Sequence, residues 1–225
     1  MVSTSTTSFA TQMMIYHMTR NKDIMAKIRA DYQKYVIDPY LAEEASPEEK
    51  SGEKPIDILK ALTFDRTFDL EYFNMVYNET LRFHPVAQAT STYEPLEDVK
   101  FGDIRLKKND PFKIFIKGLH ANPEEWREPE KFVPERFDQS NDHWFLRPDG
   151  KRRNPMSYLP FFGGKRVCFG RMFAETAARV NVFLLTYHFD FEFVDPKFNS
   201  YMPPHNVSSA GTTNIELKMT PRKLN

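Results

Sequence analysis

The only cysteine of the chain, Cys168, lies among glycines, since Gly163 and Gly164 precede it and Gly170 follows it. Glycine allows positive φ and a close approach of the backbone to a flat or bulky group. A helix that begins directly after Cys168 would point free N–H groups at the sulfur, and Arg166 adds positive charge nearby. Both effects favour the thiolate over the thiol, whose free pKa is about 8.5. The sequence therefore predicts a nucleophile or a metal ligand here.

Composition excludes several classes of protein. The chain of 225 residues has 31 Lys and Arg and 31 Asp and Glu, so its formal net charge is zero. That balance argues against a nucleic-acid binder or a polybasic membrane binder. A single cysteine excludes an internal disulfide framework and a multi-cysteine zinc or iron–sulfur site. No stretch reaches the roughly 20 apolar residues that span a bilayer, so no transmembrane segment is predicted.

Hydrophobic periodicity predicts an α+β fold that is mainly α-helical. The predicted helices are Phe9–Met18, Asp23–Val36 with a stop at Asp38-Pro39, Leu70–Phe83 ended by His84-Pro85, and a helix that starts just after Cys168 and contains Phe173–Leu184. Five Glu and two Pro lie in Glu43–Pro55, which is predicted to be a surface loop.

Short strands and turns are predicted in the second half of the chain. Nine of the sixteen prolines lie between Pro85 and Pro160, and prolines at this density indicate turns and extended segments. Lys113–Ile116 is predicted to be a strand within this region. Alternation of apolar and polar residues predicts two more strands, at Phe189–Phe193 and Ile215–Met219.

The residues around the cysteine resemble a known signature. Phe161-x-x-Gly164-x-Arg166-x-Cys168-x-Gly170 is similar to the complete haem-ligand motif of the cytochrome P450 family, in which a cysteine thiolate binds the haem iron. Further matches follow in the family's order: Glu79-x-x-Arg82 with His84-Pro85, His120-Ala121-Asn122-Pro123 with Trp126, Pro129 and Phe132, and Pro134-Glu135-Arg136-Phe137. Residues 1 to 20 resemble the C-terminal half of the long helix on the distal face of the haem, so the resemblance covers nearly the whole chain.

The resemblance implies the C-terminal part of the P450 fold, with small β-sheets. Residues 1–225 would form the haem-binding portion of one domain, with residues 43–55 as a surface loop. Family members are about twice as long, which implies that the part preceding the distal helix, with any membrane anchor, is missing. Glu79, Arg82 and Arg136 are implied to form a buried ion network that supports the fold.

The resemblance also assigns the cofactor and its ligands. Haem b is the implied cofactor, with Cys168 as the axial thiolate, which donates electron density to the iron and favours cleavage of the O–O bond. The implied cofactor-binding residues are Arg166, which would pair with a propionate, Gly164 and Gly170, which would lie close under the porphyrin, Phe161, which would limit water on the sulfur side, and its neighbour Phe162.

Two further residues correspond to the catalytic positions of the family's distal helix. There, Thr6 keeps the family's threonine, whereas Ser5 replaces its acid and Ser3 replaces its glycine. In the family this acid–alcohol pair helps to deliver protons. Ser5 can order a water molecule but cannot titrate near pH 7, so less efficient oxygen activation is expected.

The implied function is that of a monooxygenase, which inserts one oxygen atom from O₂ into a small apolar organic substrate. Electrons would come from NADPH through a flavin reductase or a ferredoxin. This partner would dock on a basic proximal face made of Lys151, Arg152, Arg153, Lys165, Arg171 and Arg179. The substrate would contact Val86–Thr92 and the turn at Gly211–Thr213. The compartment is left open, although a full-length eukaryotic form would be expected at the endoplasmic reticulum membrane.

Two alternatives stay open. The first is a non-catalytic haem-binding fragment or a truncated gene product without activity. The second is a Cys–His hydrolase that uses His84 or His120 as its base, although no oxyanion-hole or nucleophile motif accompanies the cysteine.

Overall fold

Helices dominate the part of the chain that the computed structural model describes, which is residues 2–200 and 215–224, with side chains from residue 4 onward. The α-helices are α1 (Val2–Arg20), α2 (Lys22–Tyr32), α3 (Asp38–Glu43), α4 (Pro47–Ser51), α5 (Ile58–Ala61), α6 (Phe64–Phe68), α7 (Glu71–Phe83), α8 (Ile116–His120), α9 (Asp142–Phe145) and α10 (Arg171–His188). The strands are β1 (Val99–Phe101), β2 (Ile104–Leu106), β3 (Phe189–Phe193) and β4 (Leu217–Pro221). The predicted α+β, mainly α class is confirmed.

Four helices, α1, α2, α7 and α10, carry the main core. Met14 and Met18 of α1, Phe73 of α7 and Val182 of α10 are fully buried, and they belong to one apolar cluster. The apolar residues of α1 occupy more than one face, as expected for a helix that packs on several sides. Within the described residues, no helix combines the length and hydropathy that crossing a bilayer would require.

The chain does not stop at Asp38-Pro39, so that prediction was wrong. After α2, residues Gln33–Ile37 form a π-helix, and the chain continues directly into α3. The N–H of Asp38 donates to the carbonyl of Gln33, five residues earlier. Pro39 lies in the first turn of α3, where its missing N–H removes no intrahelical hydrogen bond.

The acidic segment 43–55 is mostly exposed but contains the short helix α4. A capping box joins Ser46 and Glu49 at its start. The Glu49 carboxylate also accepts hydrogen bonds from the hydroxyl of Tyr40 (3.0 Å) and the N–H of Asp57 (2.8 Å). These bonds hold the pKa of Glu49 at about 2, well below its usual range, with the backbone N–H of Ser46 as the largest cause.

The proline-rich region contains one hairpin, β1–β2, but not the strand predicted at Lys113–Ile116. That prediction was wrong: Tyr93 and Phe112 form an isolated bridge, and Ile116 already begins α8. The N–H of Ile114 donates to the side-chain hydroxyl of Thr90 instead of a neighbouring strand. This side chain takes the place that a ladder partner would occupy.

The last sheet pairs β3 with β4 in antiparallel register, with Phe191 opposite Met219. Strand β3 follows α10 without a loop. Phe191 and Phe193 are buried, whereas Asp190 and Glu192 are exposed, so the alternation that predicted a half-buried strand is confirmed.

Candidate functional site

The loop that carries Cys168 has an unusual backbone. Phe162 and Gly164 both have φ of +61°, in the left-handed region. An added Cβ at Gly164 would meet nothing within 4 Å, so the need for glycine there arises from the backbone and not from crowding. The N–H of Cys168 donates to the carbonyl of Phe161 at 2.9 Å, and this bond closes the loop. Helix α10 begins at Arg171, as the sequence predicted for a helix just after the cysteine.

An apolar cavity of about 410 Å³ lies at Cys168. Helix α1 contributes Thr6 to its wall, helix α7 contributes Tyr77 and Leu81, and the segment after α7 contributes Val86. Cys168 is exposed and is not oxidised to a disulfide. A hydroxyl group, a thiol and apolar side chains from four separate parts of the chain therefore meet at one cavity.

Five of the eight residues predicted for the site line this cavity. They are Thr6, Phe161, Phe162, Cys168 and Gly170. The other three, Ser5, Gly164 and Arg166, are exposed and do not line it.

The predicted substrate-contact residues are only partly described. Val86 and Ala87 line the cavity, whereas the rest of Val86–Thr92 does not. The turn at Gly211–Thr213 lies outside the described residues.

Sequence reasoning missed Tyr77 and the phenylalanines at the cavity edge. Tyr77 is buried, and burial is the largest cause that raises the pKa of its phenol, which therefore stays protonated. Its spacing of four residues from Leu81 on α7 could have indicated a shared face. Phe169 and Phe173 also line the cavity, although both side chains are more than half exposed.

The donor set fits a haem group. A single thiolate cannot enclose a bare metal ion, and no cluster of three or more His, Cys, Asp or Glu side chains occurs in residues 2–200 and 215–224. A metal at Cys168 therefore needs a prosthetic group that brings its other ligands. The aromatic and aliphatic walls around the sulfur suit a flat apolar macrocycle, and thiolate is a known axial ligand of haem iron.

A buried ion network supports the wall of the cavity. Glu79 and Arg82 of α7 form a two-pronged pair at 2.7 and 2.8 Å, and Arg136 approaches the same carboxylate at 3.3 Å. Arg82 also donates to the carbonyl oxygens of His120 and Lys131. The network thus holds the irregular segment after α8 against α7.

Neither histidine considered as a base lies at the cysteine cavity. Nε2 of His120 accepts a hydrogen bond from the N–H of Leu159 (2.9 Å), and burial lowers the pKa of His120 to about 4. Nε2 of His84 lies 2.7 Å from Nε2 of His17. Because no histidine lines the cavity among the described residues, the Cys–His hydrolase is not supported.

The predicted basic face is smaller in the structure. Arg153 is partly buried, lies 4.4 Å from the ring of Trp126, and has its pKa lowered to about 10, chiefly by burial. Arg179 is buried, and Arg171 pairs with Glu175 at 2.8 Å. The members of the predicted face that are exposed and have no ion pair with an Asp or Glu closer than 3.5 Å among the described residues are Lys151, Arg152 and Lys165.

The chain is similar to known proteins over most of its length. The family model described as Cytochrome P450 matches residues 1–219. Cytochrome P450 3A19 of Capra hircus aegagrus is 32% identical over 97% of this chain and 87% of its own length. Cytochrome P450 3A9 of Rattus norvegicus is 31% identical and cytochrome P450 3A7 of Homo sapiens is 30% identical. For each of these two, the match covers 83% of this chain but only 31% of the relative.

Solved structures with the same fold give the same result. The crystal structure of the cytochrome P450DA heme domain superposes with a TM-score of 0.73 at 23% identity, over 97% of this chain and 42% of that one. The retinoic acid bound cyanobacterial CYP120A1 gives a TM-score of 0.75 at 21% identity, over 97% and 43% of the two chains. The matched region includes the cysteine loop and all four core helices.

Proposed function

Because the chain belongs to the cytochrome P450 family, whose members are haem monooxygenases, we propose that residues 1–225 are the haem-binding portion of such an enzyme. The proposed reaction inserts one oxygen atom from O₂ into an apolar organic substrate. One observation carries the proposal: the thiol of Cys168 and the hydroxyl of Thr6 line the same apolar cavity.

Cys168 is the proposed ligand of haem b. When bound, the haem supplies the oxygen-activating and electron-accepting chemistry that no side chain can provide. Phe161 and Phe162 line the cavity and limit the access of water to the sulfur. Arg166 lies in the same loop and is exposed, so its guanidinium is free to pair with a propionate.

Thr6 is the proposed proton-handling group. Its hydroxyl can both donate and accept, so it can hold a water molecule at the cavity wall and pass on a proton. Its neighbour Ser5 is exposed to solvent and occupies the family's acid position. Because a serine hydroxyl does not titrate, protons must reach Thr6 from solvent and not from a resident acid.

The substrate and the redox partner follow from the two sides of the cavity. Val86 and Leu81 give the cavity wall an apolar surface that favours an apolar substrate. Lys165 lies in the cysteine loop, and with Lys151 and Arg152 it would attract an acidic flavin reductase or ferredoxin that delivers electrons from NADPH.

A difference spectrum tests the ligand. The expressed chain is loaded with haemin, reduced and exposed to carbon monoxide, and the strongly red-shifted Soret band of thiolate-bound haem is expected. Cys168→Ser should abolish this band, whereas Lys165→Gln, in the same loop, should keep it. A band that survives Cys168→Ser would disprove the assignment.

A non-catalytic haem-binding protein is the second candidate, and the serine at the acid position favours it. The two candidates differ in turnover with NADPH, a flavin reductase and an apolar test substrate. Formation of hydroxylated product supports the monooxygenase. A thiolate-type spectrum without product, with electrons lost to peroxide, supports the non-catalytic candidate.

A further inference from the structure

A second cavity, remote in sequence from Cys168, opens between α2, the π-helix Gln33–Ile37, the end of α10 and the residues after β4. Its volume is about 350 Å³, within the range of small-molecule sites. None of its lining residues lines the cysteine cavity. The family chemistry proposed above makes no use of it.

The charge of this cavity is unbalanced. Arg29, Arg222 and Lys223 contribute to its wall, and no Asp or Glu does. Arg29 and Arg222 share one neighbouring carboxylate, Asp190, at 2.7 and 4.0 Å. Lys223 has no ion-pair partner among the described residues. Three cations therefore face one exposed carboxylate.

Hydrogen bonds to the end of α10 orient the two arginines but do not use all their donors. Arg29 donates from Nε to the carbonyl of Thr186, and Arg222 donates from Nη1 to the carbonyls of Thr186 and Tyr187. Nη1 of Arg29 and Nη2 of Arg222 have no acceptor within the described part of the chain. Burial and the nearby Arg29 lower the pKa of Arg222, so an added anion would be favourable.

The opposite wall of the cavity is apolar and includes the π-helix. Ile37 belongs to the π-helix, and Leu41 and Ile56 extend the surface beyond it. A π-helix is rare and is found frequently at functional sites, because the extra residue widens the helix and redirects its side chains. Cations thus stand at one side of the cavity and aliphatic side chains at the other.

We propose that this cavity binds an amphipathic anion, a single-chain carboxylate, with the head group at Arg222 and Lys223 and the tail along Ile37 and Leu41. The enclosed volume suits one acyl chain and not the two chains of a phospholipid. The inference does not depend on the function proposed for Cys168.

Calorimetric titration of the full chain with decanoate tests the site. Decanol, which has the same tail without charge, should bind at least about tenfold more weakly, because a charge-assisted hydrogen bond is lost. Octanoate should bind about fifteenfold more weakly than decanoate, since each buried methylene changes affinity roughly fourfold. Equal binding of decanol and decanoate would overturn the proposal.

Two charge reversals supply the matched comparison. Lys223 and Lys218 are both exposed, but only Lys223 lines the cavity. Lys223→Glu should weaken decanoate binding about tenfold or more, whereas Lys218→Glu should change it by less than about twofold. Equal effects of the two variants would show a general effect of net charge and would overturn the site.

The other cavity and a lipid surface are the competing locations. Binding of decanoate should persist in Cys168→Ser, and its loss there would place the ligand at the cysteine cavity instead. Binding to phosphatidylserine vesicles that depends on Lys223, without binding of decanoate, would assign the cations to a lipid surface. Either result would overturn the proposal.

Discussion

Glu79 and Arg136, 57 positions apart in the chain, bring Oε1 and Nε within 3.3 Å of each other with both side chains completely buried. Arg82 binds the same carboxylate from within α7. A buried charge is tolerated only when it is paired, because removal from water costs several kcal/mol. The network therefore makes the fold of the segment around Arg136 depend on one carboxylate of α7.

Removal of that carboxylate charge should destabilise the protein strongly. Glu79→Gln keeps the shape but leaves two buried guanidinium groups without a counter-charge, and we expect a loss of about 3–5 kcal/mol. Urea unfolding followed by circular dichroism measures it. Glu192→Gln is the control, because Glu192 and Lys218 are 3.9 Å apart and both exposed, and it should cost less than about 1 kcal/mol. Equal losses would show that the network contributes nothing special.

His120 should make stability depend on pH. Burial holds its pKa at about 4 in the folded state, against about 6.5 in the unfolded chain. The unfolded state therefore binds the extra proton first, and stability should fall by about 3 kcal/mol as pH drops from about 6.5 to about 4. Above pH 6.5 this contribution is constant.

The variant His120→Gln isolates this effect. Glutamine can still accept the hydrogen bond from the N–H of Leu159 but does not titrate. The free energy of unfolding, measured in urea between pH 4 and 7.5, should then have a shallower slope than in the unchanged chain. His143→Gln, at an exposed position, should leave the slope as it was. An unchanged slope in His120→Gln would contradict the assignment.

The two adjacent glycines of the cysteine loop should respond differently to alanine. Gly164 has φ of +61° and open space around an added Cβ, so Gly164→Ala should cost about 1–2 kcal/mol from backbone strain alone. Gly163 has an extended backbone with φ of −158°, and its Cβ would lie 3.5 Å from Leu159, an ordinary contact. Gly163→Ala should be neutral or stabilising by up to about 1 kcal/mol. The urea midpoints of the two variants decide, and equal midpoints would disprove the strain argument.

Long periodic segments and the cysteine motif carried most of the correct predictions. Helix α7 and strand β3 appear at the positions that their apolar patterns indicated, because burial of one face determines the register of each element. The motif also identified a loop whose residues, among them Phe161 and Cys168, line a common cavity. The proposed roles of these residues remain predictions.

The errors came from tertiary context that a local pattern does not contain. Pro39 reads as a helix stop, but a π-helix before it places the proline in a first turn, where it is tolerated. Lys113–Ile116 has strand-like composition, but a Thr90 hydroxyl replaces the ladder partner. Arg153 reads as a surface cation, yet it packs over Trp126 because the fold closes around both.

The capping box at α4 provides the last test. Ser46 accepts the N–H of Glu49 at 3.3 Å, and the Glu49 carboxylate accepts the N–H of Ser46 at 2.9 Å. Ser46→Ala removes the first bond and should cost about 1 kcal/mol, which lowers the midpoint of thermal unfolding by about 2–4 °C for a chain of this size. Ser91→Ala, at an exposed position outside any helix, should change the midpoint by less than about 1 °C. If Ser46→Ala leaves the midpoint unchanged, the hydrogen bonds of Glu49 to Tyr40 and Asp57 are sufficient to hold α4 without the serine.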